Sequence, residues 1–483
     1  MKHASIPNVP TQLFLGGEWR DASDGGTFDV DNPATGEIIA TVASATIEDG
    51  KAALDAAEQA FAGWAALKPR ERAEVLRKAF ELIIAQKEEL ARLVTMENGK
   101  ALPDSRAEIA YAAEFFRWSA EEAVRAIGEF YRGPSTGARI LVGHKPAGIA
   151  VLVTPWNYPA AMATRKIGPA LAAGCPVILK PASATPLTML ALMPIMEQAG
   201  VPKGIISVLP SRHTGKLVDS LLHDPRVRVV SFTGSTEVGR TLLRSAADCV
   251  LNPAMELGGN APLVVFEDAD LDQAVDGAIL AKMRNLGEAC TAANRFYVHE
   301  KVYDAFAQKL AAKMGAMRVG NGLEEGVEVG SLVNAETRDK VVELVDDAVA
   351  RGAKVLTGGK AVEGTGYFYP PTVMVDVPED ARCFHEEIFG PVAALTRFSG
   401  EDEVVTRCND TEYGLVAYVF TKDLKRGLAV SERLDFGMIG LNRGIVSDPA
   451  APFGGMKQSG IGREGAHHGI MEFLETQYIS VEW

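Results

Sequence analysis

Hydrophobic positions divide the chain into stretches of different period. Up to about Val42 they come in short alternating runs, as in strands, and helical spacing follows. Val75, Leu76, Phe80, Ile83, Ile84, Leu90 and Leu93 recur at three- and four-residue intervals. This predicts one amphipathic helix from Glu71 to Glu97, stopped by Asn98-Gly99. Ser105-Arg-Ala-Glu108 has the form of a capping box and predicts the start of the next helix. The period then changes. Residues 139–143 and 148–153 read as two strands around Lys145-Pro-Ala-Gly148.

Beyond this point short apolar strands (149–153, 176–179, 206–209 and 227–232) alternate with helices, the pattern of a parallel sheet covered on both faces. Ligands of such sheets bind beyond the carboxyl ends of the strands. Thr154-Pro-Trp156-Asn157, Lys180-Pro-Ala-Ser183 and Thr233-Gly234-Ser235 fall at those ends. After Gly259 a second alternating run opens with Ala261-Pro-Leu-Val-Val-Phe266 and continues to about Leu441, which predicts a second α/β domain. The last segment, from Thr476 to Trp483, alternates like a strand but has no partner nearby in sequence.

Length supports this division, because 483 residues exceed one ordinary core. The net charge of −14, with no basic stripe, argues against nucleic acid and anionic membranes as partners, since both need phosphate neutralisation. The Met1–Pro7 stretch lacks the apolar core of a signal peptide. The longest uncharged run, 181–196, is interrupted by prolines and hydroxyl residues, unlike a membrane span. Five scattered cysteines argue against a disulfide framework and against a zinc site, so no metal is expected. A cytoplasmic protein with reduced thiols is the expectation.

Two small-residue loops carry the candidate chemistry. Cys290 stands in Asn285-Leu-Gly-Glu-Ala-Cys290-Thr-Ala-Ala-Asn294, and Glu256 opens Glu256-Leu-Gly258-Gly-Asn260. A thiol and a carboxylate placed in this way suit a nucleophile and a base for two successive steps. Thr291-Ala-Ala-Asn294 reads as a helix start, whose N–H groups would favour a thiolate. Glu288 is a rival base, ranked below Glu256. The Asn157 amide and the Cys290 N–H can serve as oxyanion donors. Gly234 lets a strand-to-helix turn close, and Ser235 at the helix start can meet a phosphate. Taken singly, Cys290 reads equally as an inert buried thiol and Asn157 as a turn residue before Tyr158-Pro159.

Together the Cys290 and Glu256 loops, Thr154-Pro-Trp-Asn157-Tyr-Pro159 and Phe232-Thr-Gly-Ser-Thr-Glu-Val-Gly239 resemble the aldehyde dehydrogenase superfamily from about Phe14 onward. The resemblance implies an α/β fold. A Rossmann-type cofactor domain would take 1–123 and 145–257, with 442–467 returning near it. A catalytic domain would take 258–441, and 124–144 with 468–483 would form an oligomerisation arm. It implies a homodimer or homotetramer that oxidises a small-molecule aldehyde with NADP or NAD through a cysteine thioester. Lys180 matches the residue holding the adenosine ribose, and Glu387 the one holding the nicotinamide ribose, with Phe389 packing nearby. Thr154, Trp156, Gly234, Ser235 and Gly258 complete the cofactor set. Ser183 stands where many NAD-using relatives have a glutamate that repels a 2′-phosphate, which favours NADP.

The segments Leu441-Asn-Arg-Gly-Ile-Val-Ser447, Ala451-Pro-Phe-Gly-Gly-Met-Lys-Gln-Ser-Gly-Ile-Gly-Arg-Glu464, Ala161-Met-Ala-Thr-Arg165-Lys and Lys282-Met-Arg284-Asn are similar to the succinate-semialdehyde dehydrogenase subgroup, where Arg165, Arg284 and Ser447 would grip the substrate carboxylate. Structural ion pairs are the alternative for the two arginines. Two features depart from that subgroup. Cys290-Thr-Ala292 replaces a Cys-x-Cys, so no disulfide can form between those neighbours. Arg443 stands where a small residue is usual and could add a positive contact to the pocket. Glutarate semialdehyde, an aromatic or aliphatic aldehyde, or release of the acyl group to CoA remain as alternatives. A non-catalytic binding protein on the same scaffold is disfavoured by the intact Cys290, Glu256, Asn157, Lys180 and Glu387.

Overall fold

The computed structural model describes residues 9–482; the Met1–Pro7 stretch and Trp483 lie outside them. Eight strands form the first sheet, in the order Glu18–Arg20, Leu13–Leu15, Ile206–Val208, Val177–Lys180, Ile149–Val153, Val227–Thr233, Asn252–Glu256, Gly460–Ile461. The middle five, from Ile206–Val208 to Asn252–Glu256, run parallel, and the outer three pair antiparallel. Numbered along the chain, the parallel strands lie in the order 3-2-1-4-5. The winding therefore reverses between Ile149–Val153 and Val227–Thr233, and a crevice opens beyond the carboxyl ends of those two strands.

Every residue of Ile149–Val153 is buried. Ala150 and Leu152 join the core under the helices Leu102–Ala123, Ala161–Ala173 and Leu187–Ala199, whereas Ile149, Val151 and Val153 join the core under Ile47–Ala65 and Thr214–Leu222. A period of two thus sends alternate side chains into two cores, which is why the strand is apolar throughout.

The second sheet lies wholly between residues 261 and 441, in the order Lys354–Thr357, Thr372–Val375, Val392–Phe398, Ala293–His299, Ala261–Val265, Val416–Phe420, Met438–Leu441. Only Lys354–Thr357 pairs antiparallel. The end of Asn252–Glu256 passes through Leu257 to Asn260 straight into Ala261–Val265. The carboxyl edge of the first sheet therefore faces the amino edge of the second.

Two expectations are corrected. The predicted helix over Glu71–Glu97 is two helices, Pro69–Ala85 and Lys87–Asn98, broken at Gln86 (φ −105°, ψ 14°). The apolar spacing runs on through the break, so periodicity does not reveal it. The next helix, Leu102–Ala123, begins before the capping pattern, with Pro103 in its first turn. Ser105 instead meets the Thr95 hydroxyl, and Glu108 is buried against Lys100. The two strands around Lys145-Pro-Ala-Gly148 are present and belong to different sheets: Ile149–Val153 lies in the first sheet, and Arg139–Pro146 pairs antiparallel with Leu474–Val481 and Glu129–Arg132 in a small three-stranded sheet. The C-terminal strand thus finds its partner far upstream.

Among the described residues no helix is long and apolar enough to cross a membrane, and no acid, histidine and cysteine group could hold a metal ion.

Candidate active site

A cavity of about 760 Å³ opens where the two sheets meet. Its walls include Cys290, Asn157, Arg165, Arg284 and Ser447, and also Trp156, Gly234, Ser235, Gly258, Glu387 and Phe389. Residues spread from 156 to 447 in sequence are thereby brought into one space. Thr154, Lys180, Ser183 and Glu256 stand outside its walls.

Cys290 lies in the turn before Ala293–His299. Thr291-Ala-Ala-Asn294 is therefore not a helix start, and no helix N-terminus serves the thiol. Asn294, Phe296 and Val298 are buried, as are the residues between them, so sheet burial overrides the helical tendency of the alanines. Burial pushes the Cys290 thiol up to about 12; Arg165 and Arg284 pull it down, while Glu256 and Glu387 push it further up. The loop packs tightly on the Glu256 loop: a Cβ at Gly259 would sit 2.5 Å from the Cys290 carbonyl oxygen.

Asn157 is buried, and its Nδ2 donates to the Glu288 carbonyl at 2.9 Å. That acceptor identifies the nitrogen end of the amide, and the second Nδ2 hydrogen remains available. The Asn157 carbonyl accepts from Lys100 Nζ at 2.6 Å and from Asn285 Nδ2 at 3.0 Å, so backbone and side chain are both fixed.

Glu256 ends its strand buried, with neither carboxyl oxygen hydrogen-bonded. Burial and the neighbouring Glu464 charge raise its pKa well above the usual carboxylate range, against the pull of Arg165, Lys166 and Arg463. Glycine at 454 leaves room beside it, since a Cβ there would lie 2.8 Å from Glu256 Oε1. Glu288 faces away from the cavity and accepts from the Val333 N–H at 3.1 Å.

The two arginines differ. Arg165 is buried and ion-paired with Glu464 at 3.1 Å, bonded to the Tyr111 hydroxyl at 3.1 Å, and its guanidinium lies 4.0 Å from the Phe453 ring centre. Lys166 also pairs with Glu464. Arg284 donates to Thr291 Oγ1 at 3.1 Å and to Ser447 Oγ at 3.3 Å, and has no ion-pair partner among the described residues. Arg443 is exposed and does not line the cavity, so it adds no contact to the pocket.

On the crevice side, Ser235 caps the helix Thr236–Asp248, its hydroxyl accepting from the Val238 N–H at 3.4 Å. Phe389 adopts a left-handed φ of 55° and meets Trp156 edge-on, with ring centres 5.3 Å apart. Such a conformation costs a non-glycine residue about 1–2 kcal/mol, so the surroundings must hold it. Glu387 accepts from the Gly259 N–H at 3.2 Å, and burial raises its carboxyl to about 7. Lys180 is 5% exposed with no acidic partner, and burial lowers its pKa to about 8. Ser183 donates to the Ser211 carbonyl at 2.8 Å. No carboxylate stands among these bonds.

Sequence reasoning assigns no role to Tyr111, Tyr158 or Lys100, and it gives Phe453 and Glu464 only as members of a similar segment, without the Arg165 contacts they make. Glu108, the Lys100 partner, carries the form of a capping residue.

The model of the aldehyde dehydrogenase family matches residues 19–479. A succinate-semialdehyde dehydrogenase of Paenarthrobacter nicotinovorans is 53% identical, covering 92% of this chain and 99% of its own. A glutarate-semialdehyde dehydrogenase of Pseudomonas putida is 49% identical over 97% of each chain. Among solved structures, an E. coli NADP-dependent enzyme superposes with a TM-score of 0.97 at 46% identity, covering 98% of both chains. Matched by that model and by relatives along nearly all of its length, the chain belongs to the aldehyde dehydrogenase family.

Proposed function

We propose that this dehydrogenase oxidises a short aldehyde bearing a terminal carboxylate, succinate semialdehyde first, with NADP preferred over NAD. The observation that carries the reading is Arg284: a guanidinium in the same cavity as Cys290, hydrogen-bonded to the hydroxyls of Thr291 and Ser447 and without an ion-pair partner among the described residues. A carboxylate is the ligand such a group lacks, and Ser447 can add a hydrogen bond. Arg165 contributes less than the sequence implied, because its guanidinium is already held by Glu464 and the Tyr111 hydroxyl.

The residues present fit a nicotinamide dinucleotide. The Lys180 ammonium, buried with no acidic partner among the described residues, is suited to ribose oxygens, and a serine at 183 in place of a glutamate puts no charge of its own against a 2′-phosphate. Gly234 and Ser235 at the helix start suit the pyrophosphate, and Glu387 the second ribose, with Trp156, Gly258 and Phe389 lining the path and Thr154 behind it at the end of its strand. When bound, the cofactor supplies the hydride acceptor. Cys290 adds to the aldehyde carbon. The spare Asn157 hydrogen and the Cys290 N–H receive the oxyanion. Loss of hydride leaves a thioester on Cys290. Glu256, made more basic by burial, has room beside Gly454 to reach toward the cavity and would activate water there. No step needs a metal.

Release to water is favoured over release to CoA, because Glu256 is retained. A glutarate semialdehyde differs by one methylene, which an apolar wall distinguishes by only about 1–3 kcal/mol. The Pseudomonas putida relative favours keeping it as the second substrate. The division into cofactor, catalytic and arm segments read from the sequence fits the two sheets and the small sheet. The small sheet exposes Phe130, Tyr131, Leu141, Tyr478 and Ile479, a surface suited to pairing in a homodimer or homotetramer. Five free cysteines fit a reducing, cytoplasmic setting.

The test is initial rates with succinate semialdehyde, glutarate semialdehyde and butanal, each with NADP and NAD, beside Cys290→Ala. A preference for the charged aldehydes, abolished in the variant, supports the reading. Equal kcat/KM for butanal overturns the carboxylate grip, and equal efficiency with NAD overturns the NADP preference. Sedimentation tests the assembly: a monomer at micromolar concentration would refute it.

A further inference from the structure

Behind the Cys290 loop lies a buried acid that the scheme above does not use. Glu288 is fully buried; Oε1 accepts from the Val333 N–H at 3.1 Å, and Oε2 has no partner. Its main-chain carbonyl accepts from both Asn157 Nδ2 and Asn285 Nδ2, each at 2.9 Å. The turn leading into it is strained: Asn285, Leu286 and Gly287 have φ of 54°, 55° and 77° in succession. Two left-handed non-glycine residues persist only when both ends of the turn are held. The upstream anchor is Asp104 Oδ2, which accepts from the Asn285 N–H at 3.1 Å. The downstream anchor is the Glu288 carboxyl on Val333.

The charges around this carboxyl are already committed. Lys100 Nζ is bound to Glu108 Oε2 and to the Asn157 carbonyl, each at 2.6 Å. Asp104 and Glu108 on the same helix are themselves acids. On the loop itself, Arg284 is bonded to Thr291 and Ser447, and Cys290 is the reacting group. Tyr158 lies beside Asn157, and Glu387 belongs to the segment whose Gly390 packs on Gly287. Residues 331–334 carry no ionisable side chain. An ionised Glu288 would therefore lack a cation of its own, two residues from the nucleophile.

We propose that Glu288 is a positioning residue that works as a neutral carboxyl group: it holds the turn that aims Asn157, and when ionised it opposes the negative charge that develops at Cys290. This rests on the assignment of Cys290 as nucleophile and Asn157 as oxyanion donor. Burial places the titration of this carboxyl at about 8, with the Val333 N–H and Lys100 pulling it down. The charge effect therefore falls within a measurable range.

The test is the single-turnover rate of cofactor reduction against pH in the full-length protein, with succinate semialdehyde and saturating NADP. The ratio of the Glu288→Gln rate to the wild-type rate is expected to rise about tenfold between pH 7 and pH 9, as a group titrating near 8 goes from mostly neutral to mostly ionised. Glu288→Ala is expected to slow the step about tenfold or more at every pH, with aldehyde KM changed less than about twofold. Parallel pH profiles for Glu288→Gln and wild type overturn the charge effect, and an Ala variant as fast as wild type overturns the positioning role. Should the Ala variant fail to fold, the Gln profile alone decides. Asn157→Ala run alongside separates the two readings. If it retains the reduction step, the oxyanion assignment itself falls. If it loses the step while the Gln profile stays parallel, only the Glu288 proposal falls.

Discussion

Arg284→Ala is the most direct perturbation of the proposed substrate grip. The guanidinium offers a carboxylate a charge-assisted pair of hydrogen bonds, each worth about 1.5–3 kcal/mol. Part of that is offset because Arg284 already donates to Thr291 and Ser447 and must share or exchange those bonds. A net loss of about 3–4 kcal/mol for succinate semialdehyde follows, or about 200- to 1,000-fold in kcat/KM. Butanal has the same four-carbon chain without the carboxylate and loses only what the variant costs the loop itself. Thr291 is the neighbour of Cys290, so that cost is real but common to both aldehydes. The ratio of the two kcat/KM values, wild type over variant, removes it. The expected ratio is about 100 or more. A ratio near 1, with both aldehydes equally impaired, would mean that Arg284 supports the loop and does not bind substrate.

Four other outcomes are expected. Glu256→Gln should leave a burst of about one reduced cofactor per site and slow steady turnover about 10²- to 10⁴-fold, read by stopped-flow; loss of the burst would place Glu256 before the thioester. In the wild type, the raised Glu256 pKa means that thioester hydrolysis should climb with pH as the carboxylate forms, and a flat profile for acyl release would count against it. Ser183→Glu should invert the cofactor ratio, raising KM for NADP by about tenfold or more while sparing NAD; an unchanged ratio would remove Ser183 from the 2′-phosphate site. Lys100→Met leaves Glu108 buried without its cation and should cost about 3–5 kcal/mol in chemical denaturation. A loss below about 1 kcal/mol would mean that the Ala160 and Ala161 N–H groups suffice for Glu108.

Much of the fold was legible because strand burial leaves a plain trace. Ile149–Val153 must be apolar on both faces, and its alternation with helices marks a parallel sheet, hence ligand loops at 154–157 and 233–235. What escaped sequence reading depends on distance or on local ambiguity. Thr291-Ala-Ala-Asn294 is too short to carry a period, and alanine suits a helix on its own, so only the neighbouring strands decide that residue 293 begins a strand. The break at Gln86 leaves the apolar spacing intact. The Arg165–Glu464 pair joins residues 299 apart, and no local pattern announces which carboxylate takes the charge.

That long-range pair, with Ser447 beside Arg284, bears on the timing of synthesis. The thiol loop, the oxyanion amide and the acid at 256 all leave the ribosome before residues 447–464, which supply the serine of the substrate grip, the glycine beside Glu256 and the counter-ion of Arg165. A chain ended before residue 447 would lack the serine beside Arg284 and the carboxylate paired with Arg165, so the substrate grip is complete only with the last segment in place.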